Sequence, residues 1–262
     1  MARQRVVAVA NQKGGVGKTT TVINLGAALA AHERPVLLID LDPQANCTSG
    51  LGHSVSGPTS YEVLEGAAAL ADAVQPTRFP FLDLLPATRD LIGAEVELLR
   101  AEDRAERLRQ ALAGAPTRHD WVLIDCPPSL GLLTVNALTA ADSVLVPIQC
   151  EYFALEGVSE LMRTLERVRA VWNPGLAIEG VVMTLYDDRL TLANQVVGEV
   201  RRYFGANVFD TVVPRNVRVA EAPSFGQTIL EYDIRSRGAQ AYLALADEML
   251  RRGARYEAVR AG

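Results

Sequence analysis

Between the apolar run Val6–Ala10 and a helical pattern that opens at Thr19-Thr20-Thr21 lies the turn Lys13-Gly14-Gly15-Val16-Gly17-Lys18. A strand that feeds a glycine-rich turn and then a helix aims backbone N–H groups inward, and the helix N-terminus adds partial positive charge. Such a unit belongs to an α/β sheet and is built to hold phosphate. The lysines sharpen the point. Of 26 Lys and Arg side chains, only Lys13 and Lys18 are lysine. A compact ammonium on a thin stem fits among phosphate oxygens in a tight cradle, where a broad guanidinium would collide. The turn therefore predicts a nucleoside triphosphate site formed by Gly14, Gly15, Val16, Gly17, Lys18, Thr19 and Thr20. Within it Lys18 is expected to bridge the β- and γ-phosphates, and the Thr19 hydroxyl to ligate Mg²⁺.

The rest of the chain continues the alternation. Val36–Ile39, Phe81–Leu85, Trp121–Ile124, Val144–Ile148, Gly180–Leu185 and Val208–Val213 are further short runs, almost continuously apolar, as in strands covered on both faces. Helical spacing appears in Leu155, Val158, Met162, Leu165 and Val168, in Leu192, Val196, Val200 and Phe204, and in Ala239, Tyr242, Leu245, Ala246 and Met249. The expected fold is α/β, a mostly parallel twisted sheet flanked by helices on both faces and joined by right-handed crossovers, spanning 1–262 as one domain. Segment 53–79 is expected to be an irregular excursion. With 49% apolar residues the chain can bury such a core, and a formal charge of −5 leaves any nucleic-acid binding to a local patch. Cys47, Cys126 and Cys150 lack CxxC spacing, which argues against a disulfide framework, a zinc ribbon or a bridging iron–sulfur cluster. No signal-peptide pattern precedes the first strand and no apolar run nears the roughly 20 residues that span a bilayer, so a cytoplasmic protein is expected.

Two further segments end buried runs with carboxylates. Leu38-Ile39-Asp40-Leu41-Asp42-Pro43-Gln44 places Asp40 and Asp42 at the C-terminal end of a strand, where open α/β sheets bind ligands. Asp42 can orient an attacking water or touch the magnesium shell, or it can serve only as an Asp-Pro turn former. Ile124-Asp125-Cys126-Pro127-Pro128 repeats the pattern, with Asp125 as a water-mediated Mg²⁺ partner or, in the plainer reading, a capping residue after a strand. Cys126 reads as a small strand-end residue rather than a nucleophile, since no histidine lies near it in sequence.

Taken together these residues resemble the ParA/Soj partition ATPases, the deviant Walker A (SIMIBI-type) group of P-loop NTPases. The strict GxxxxGK[ST] pattern has glycine where this chain has Gln12, and the form with an extra lysine at the loop entry is that group's variant. The resemblance is carried by Asn11-Gln12-Lys13-Gly14-Gly15-Val16-Gly17-Lys18-Thr19, Asp40-Leu41-Asp42-Pro43-Gln44 and Asp125-Cys126-Pro127-Pro128. It continues through Val213-Pro214-Arg215-Asn216-Val217-Arg218, Glu221-Ala222-Pro223-Ser224 and Tyr232-Asp233-Ile234-Arg235-Ser236-Arg237-Gly238, nearly the whole chain. It implies an Mg²⁺-dependent ATP hydrolase in which ATP lies between two subunits and Lys13 reaches the partner's phosphates. It also implies that Asp42 supports hydrolysis, that Asp40 is structural or near the metal, and that Pro214 and Asn216 recognise adenine.

The same resemblance implies an ATP-dependent homodimer that coats nucleoid DNA without sequence preference, released when a ParB/Spo0J-like centromere-binding partner stimulates hydrolysis. The short N-terminus is expected to lack the DNA-reading extension of some plasmid relatives, which favours the chromosomal type. Arg189 and Arg218 match the positions such proteins use on DNA, and Arg201 and Arg202 can extend the patch. Composition alone would not find it, because seven arginines between Tyr186 and Arg237 are balanced by seven carboxylates. Other classes fit less well. A MinD-like membrane-cycling ATPase needs a basic amphipathic C-terminal helix, whereas Arg251–Arg260 has a glycine and few large apolar residues. A nitrogenase-reductase-like carrier needs paired cluster cysteines. An ATPase that positions a non-DNA cargo keeps every motif and would be separated by its genomic neighbours.

Overall fold

The computed structural model describes residues 4–114, 118–151 and 156–261, with side chains other than those of 156–157 and 254–261. Eight strands form one sheet: β1 Arg5–Val9, β2 Val36–Asp40, β3 Gln75–Pro76, β4 Leu82–Leu85, β5 Trp121–Asp125, β6 Ser143–Gln149, β7 Ala177–Tyr186 and β8 Val208–Pro214. Their spatial order is β3-β4-β2-β5-β1-β6-β7-β8, and every neighbouring pair is parallel except β3 with β4 at one edge. All seven apolar runs are strands. Their continuous hydrophobicity has a direct cause, because successive residues feed two different cores. In β1, Val6 and Ala8 face one core while Val7 and Val9 face the other; β2 and β5 divide the same way.

The helix Lys18–Ala31 packs on one face together with the long closing helix Arg237–Ala261. Leu133, Ala137, Leu161, Leu165, Val196 and Val200 from three other helices cover the opposite face. The phosphate-loop helix is buried at Lys18 and at every position from Thr21 to Ala30, and after its first turn it is apolar on every side except at Asn24. Leu155, the first residue of one predicted helical face, lies outside the described residues. The helix itself runs Glu156–Val171.

Segment 53–79 is more ordered than its composition suggests. It contains helices Ser60–Glu65 and Leu70–Ala73 and the edge strand β3. Thr59 and Glu62 form a reciprocal capping box at the first of these, a start signal readable in Thr59-Ser60-Tyr61-Glu62. The Thr59 N–H donates to Glu62 Oε2 at 2.8 Å. Among the described residues no helix is long and apolar enough to cross a membrane.

Candidate functional site

The phosphate loop leaves β1 at the centre of the sheet, between β5 and β6. Buried Asn11 pins its entry: Nδ2 donates to the Pro147 carbonyl at 2.7 Å, and Oδ1 accepts from the Lys13 N–H at 3.1 Å. Gly15 and Gly17 take φ of +74° and +82°, a left-handed conformation that glycine adopts without steric cost, and this turns the loop into its helix. The Thr184 hydroxyl, from β7, donates to the Val16 carbonyl at 2.8 Å and fixes the back of the loop. A Cβ built on Gly14 or Gly15 would meet no atom within 4 Å, so the inner side of the turn is an open cradle. Lys18 is buried, and its ammonium donates to the Lys13 carbonyl at 3.3 Å. Burial lowers its pKa, while Asp125 and Asp42 oppose that shift.

The strand ends bring three carboxylates beside this ammonium. Asp40 and Asp125 are register partners on β2 and β5. Both are fully buried, yet their surroundings differ. Asp40 Oδ1 accepts from the Asp42 N–H at 3.1 Å, and Oδ2 accepts from the Thr48 N–H at 2.9 Å and the Thr48 hydroxyl at 2.7 Å. Burial pushes its carboxyl up to about 6, against the pull of those donors. Among the described residues neither oxygen of Asp125 has a hydrogen-bond partner. Burial, then repulsion from Asp40, raises its carboxyl well above the ordinary range; the Thr19 hydroxyl and Lys18 pull the other way, although the hydroxyl is not in hydrogen-bonding geometry. Two orphaned acceptor oxygens beside the first turn of the phosphate-loop helix fit a hydrated divalent cation, which would supply the missing donors through its waters. Asp42 is almost buried, and its Oδ1 accepts from the Gln44 N–H at 2.9 Å.

These elements surround a cavity of about 390 Å³. Of the predicted residues, Gly14, Gly15, Gly17, Lys18, Thr19, Thr20, Asp42, Pro214 and Asn216 line it. Val16 is buried, and neither it nor Asp40, Asp125 or Lys13 lines the cavity; the Lys13 ammonium is 3.3 Å from Glu151 Oε2. Asn216 has one end already engaged: its Oδ1 caps the helix Val217–Glu221 by accepting from the Arg218 and Val219 N–H groups at 2.9 and 3.3 Å. Its amide nitrogen is thereby left as the end that can still donate. Gln44, Asn46, Pro128, Thr184, Val219 and Tyr242 also line the space and were not singled out by their sequence. Thr184 and Pro128 had a usable signal, since both sit at or just past C-terminal strand ends. Tyr242 had none, because only packing brings the closing helix against the phosphate-loop helix. Cys47, Cys126 and Cys150 are buried free thiols, and burial raises the pKa of each.

The predicted DNA-contact arginines fall into two groups. Arg189 lies in the loop after β7 and Arg218 in the short helix Val217–Glu221 that follows the neighbouring strand β8, on the edge of the sheet that carries the cavity. Arg189 is paired with Asp187 at 2.6 Å, Arg218 with Glu221 at 3.1 Å and Asp233 at 3.8 Å, and Arg237 joins this face through Asp188 at 3.3 Å. Arg201 and Arg202 occupy the last turn of the helix Thr191–Phe204, about 15 Å away along its axis at the standard rise. They sit toward the start of β8, at the opposite edge of the sheet, so one protomer does not place all four on a single patch.

A family model described as an AAA domain matches residues 4–178. The chromosome partitioning protein ParA of Caulobacter vibrioides is 58% identical over 252 residues, covering 95% of this chain and 94% of that protein. The sporulation initiation inhibitor protein Soj of Bacillus subtilis is 51% identical over 251 residues, covering 95% and 99%. Among solved structures, one named cobyrinic acid a,c-diamide synthase from Mycobacterium smegmatis, with bound ADP and magnesium, matches with a TM-score of 0.84 and 43% identity over 95% of each chain. The septum site-determining protein MinD of Pyrococcus horikoshii, complexed with Mg-ADP, matches with a TM-score of 0.78 and 26% identity over 94% of this chain and 96% of that one. With the phosphate loop, Asp42, Pro214 and Asn216 lining one cavity and relatives of this identity and coverage, the chain belongs to the ParA/Soj family of chromosome-partitioning ATPases.

Proposed function

We propose that this protein is an Mg²⁺-dependent ATPase whose ATP-bound dimer holds DNA without sequence preference and lets go on hydrolysis. The observation that carries the reading is the cavity itself, with an open glycine cradle and a buried ammonium at one end and Asn216 at the other. The loop N–H groups and Lys18 receive the triphosphate, and Pro214 with the Asn216 amide faces the base. Thr19, and Asp125 through water, would hold magnesium, which when bound would supply positive charge beside the phosphates. Asp42, at the wall, orients the water that attacks the terminal phosphate. Water oxygen bonds to phosphorus as the bond to the leaving ADP oxygen breaks, which yields ADP and phosphate.

Lys13 completes the site from a second copy of the chain. In the single chain its ammonium rests on Glu151, exposed enough to exchange that carboxylate for the partner's phosphates. Pairing two protomers doubles the arginine face, and phosphate contacts too few in one copy become sufficient in two. A ParB/Spo0J-like centromere-binding protein is the partner expected to accelerate hydrolysis, which would make the protein a cytoplasmic, nucleoid-associated switch. Binding to a random-sequence DNA duplex, measured without nucleotide, with ADP and with ATP plus Mg²⁺ across salt concentrations, tests this. Binding only with ATP, weakening steeply as salt rises, is the expected result; no binding in any state would refute the DNA part.

A further inference from the structure

Asp40 and Asp125 are matched in register and burial, and the resemblance left Asp40 either structural or near the metal, but only Asp125 has oxygen atoms to spare. Asp125 makes no side-chain hydrogen bond, whereas Asp40 accepts three, all from the segment that carries Asp42. Thr48 is the hub of that arrangement. Its N–H and hydroxyl both donate to Asp40 Oδ2, and its hydroxyl oxygen accepts from the Ala87 N–H at 3.0 Å, just beyond β4. Thr48 is buried, and the turn between it and Asp40 is held by the Ala45 N–H donating to the Asp42 carbonyl at 2.8 Å. Ala45 itself has φ +52°, a left-handed conformation that a non-glycine residue keeps only where its surroundings enforce it. The Asp42 carboxylate lines the cavity from the middle of this clamped turn, while neither Asp40 nor Thr48 reaches the wall.

We propose that Thr48 and Asp40 are positioning residues for hydrolysis: together they form a latch that aims Asp42 into the cavity, and the metal shell is left to Asp125 and Thr19. The latch has two anchors, one on β2 and one on the backbone after β4, so it sets the turn's distance from the sheet as well as its direction. A carboxylate that must orient one water is sensitive to this, because an error of about 1 Å in a catalytic group can cost on the order of 100-fold in rate. Phosphate binding depends on the loop after β1, which the latch does not touch. The latch should therefore act on turnover and leave ATP affinity alone. This inference rests on the assignment of Asp42 to the attacking water.

The test is steady-state and single-turnover ATP hydrolysis by the full chain with DNA present, alongside binding of a fluorescent ATP analogue and a magnesium titration. Thr48→Val keeps the shape and removes both hydroxyl bonds. Its kcat should fall about 10- to 100-fold while analogue affinity and half-saturating magnesium stay within about twofold. Thr48→Ser, which restores the hydroxyl, should recover most of the loss. Asp40→Asn should reproduce the kcat defect, again without moving the magnesium midpoint, and it carries the test if Thr48→Val fails to fold by circular dichroism. Undiminished turnover in Thr48→Val would overturn the latch. So would an Asp40→Asn midpoint displaced tenfold, which would return Asp40 to the metal. A parallel Asp42→Ala variant separates the two layers: full turnover there defeats the underlying assignment and the latch with it, whereas lost turnover beside a normal Thr48→Val defeats the latch only.

Discussion

Lys18 and Arg189 are both cations assigned to phosphate, yet Lys18 is 7% exposed while the Arg189 side chain is 83% exposed. Lys18 gave up its water when the chain folded, and its charge waits among Asp125, Asp42 and the loop carbonyls. A triphosphate meets groups already stripped of solvent and aimed, so the interaction is strong and little reorganisation remains. The Arg189 guanidinium stands in solvent on an Asp187 side chain that is only 13% exposed, and that pairing draws the Asp187 carboxyl down to about 2. Exposed pairs of this kind are weak and screened by salt. A DNA phosphate can replace Asp187 at little cost, but each such exchange adds little affinity. Under the proposed function, nucleotide binding is thus built into the fold of one chain, whereas DNA binding would depend on summing weak ion pairs from two chains.

The contrast can be broken most directly at Lys18. Lys18→Ala should abolish ATP binding in a fluorescent-analogue titration, and tight binding in that variant would mean the buried ammonium is only structural. Next in size, Asp42→Ala should lower hydrolysis by about 100-fold while ATP still binds, trapping a dimer that sediments with DNA. Turnover at the wild-type rate would remove Asp42 from the attacking water. Arg189→Ala combined with Arg218→Ala should leave the ATP dimer intact by size-exclusion chromatography. DNA affinity should drop at least about tenfold, and the slope of log affinity against log salt should fall by roughly one for every DNA phosphate no longer neutralised. The same replacements at Arg201 and Arg202 should have the lesser effect, given their place at the other edge of the sheet. The smallest change sharpens the comparison: Asp187→Asn frees Arg189 of its competitor and should raise DNA affinity about threefold at low salt, with ATP affinity unmoved. An unchanged DNA affinity there would show that Asp187 does not compete.

Much of this was legible in the residues. Seven apolar runs became seven strands because alternate side chains of most of them feed two cores, which leaves few polar positions, such as Asp83, Thr184, Asp210 and Thr211, to confuse the pattern. The glycines at 15 and 17 announced their left-handed backbone, and the phosphate loop followed. Segment 53–79 was harder: the helix Ser60–Glu65 starts at a capping box that is visible but small beside the Gly, Pro and Ser around it, and Leu70–Ala73 has no side-chain cap at all. Asn216 was found through resemblance, but its amide orientation came only from the helix it caps.

Local pattern determined the α/β sheet, the phosphate loop and the strand-end carboxylates, because each depends on residues adjacent in the chain whose backbone preferences act without outside help. Tertiary structure decided how chemically identical groups differ. Asp40 and Asp125 end equivalent apolar strands, but Thr48 and Asp42 saturate the one while the other is left without a donor. Arg189 and Arg201 lie in the same stretch of sequence, but a helix carries them to opposite edges of the sheet. Desolvation and hydrogen-bond supply are set by what distant segments bring to a side chain, and those neighbours are known only once the chain has folded.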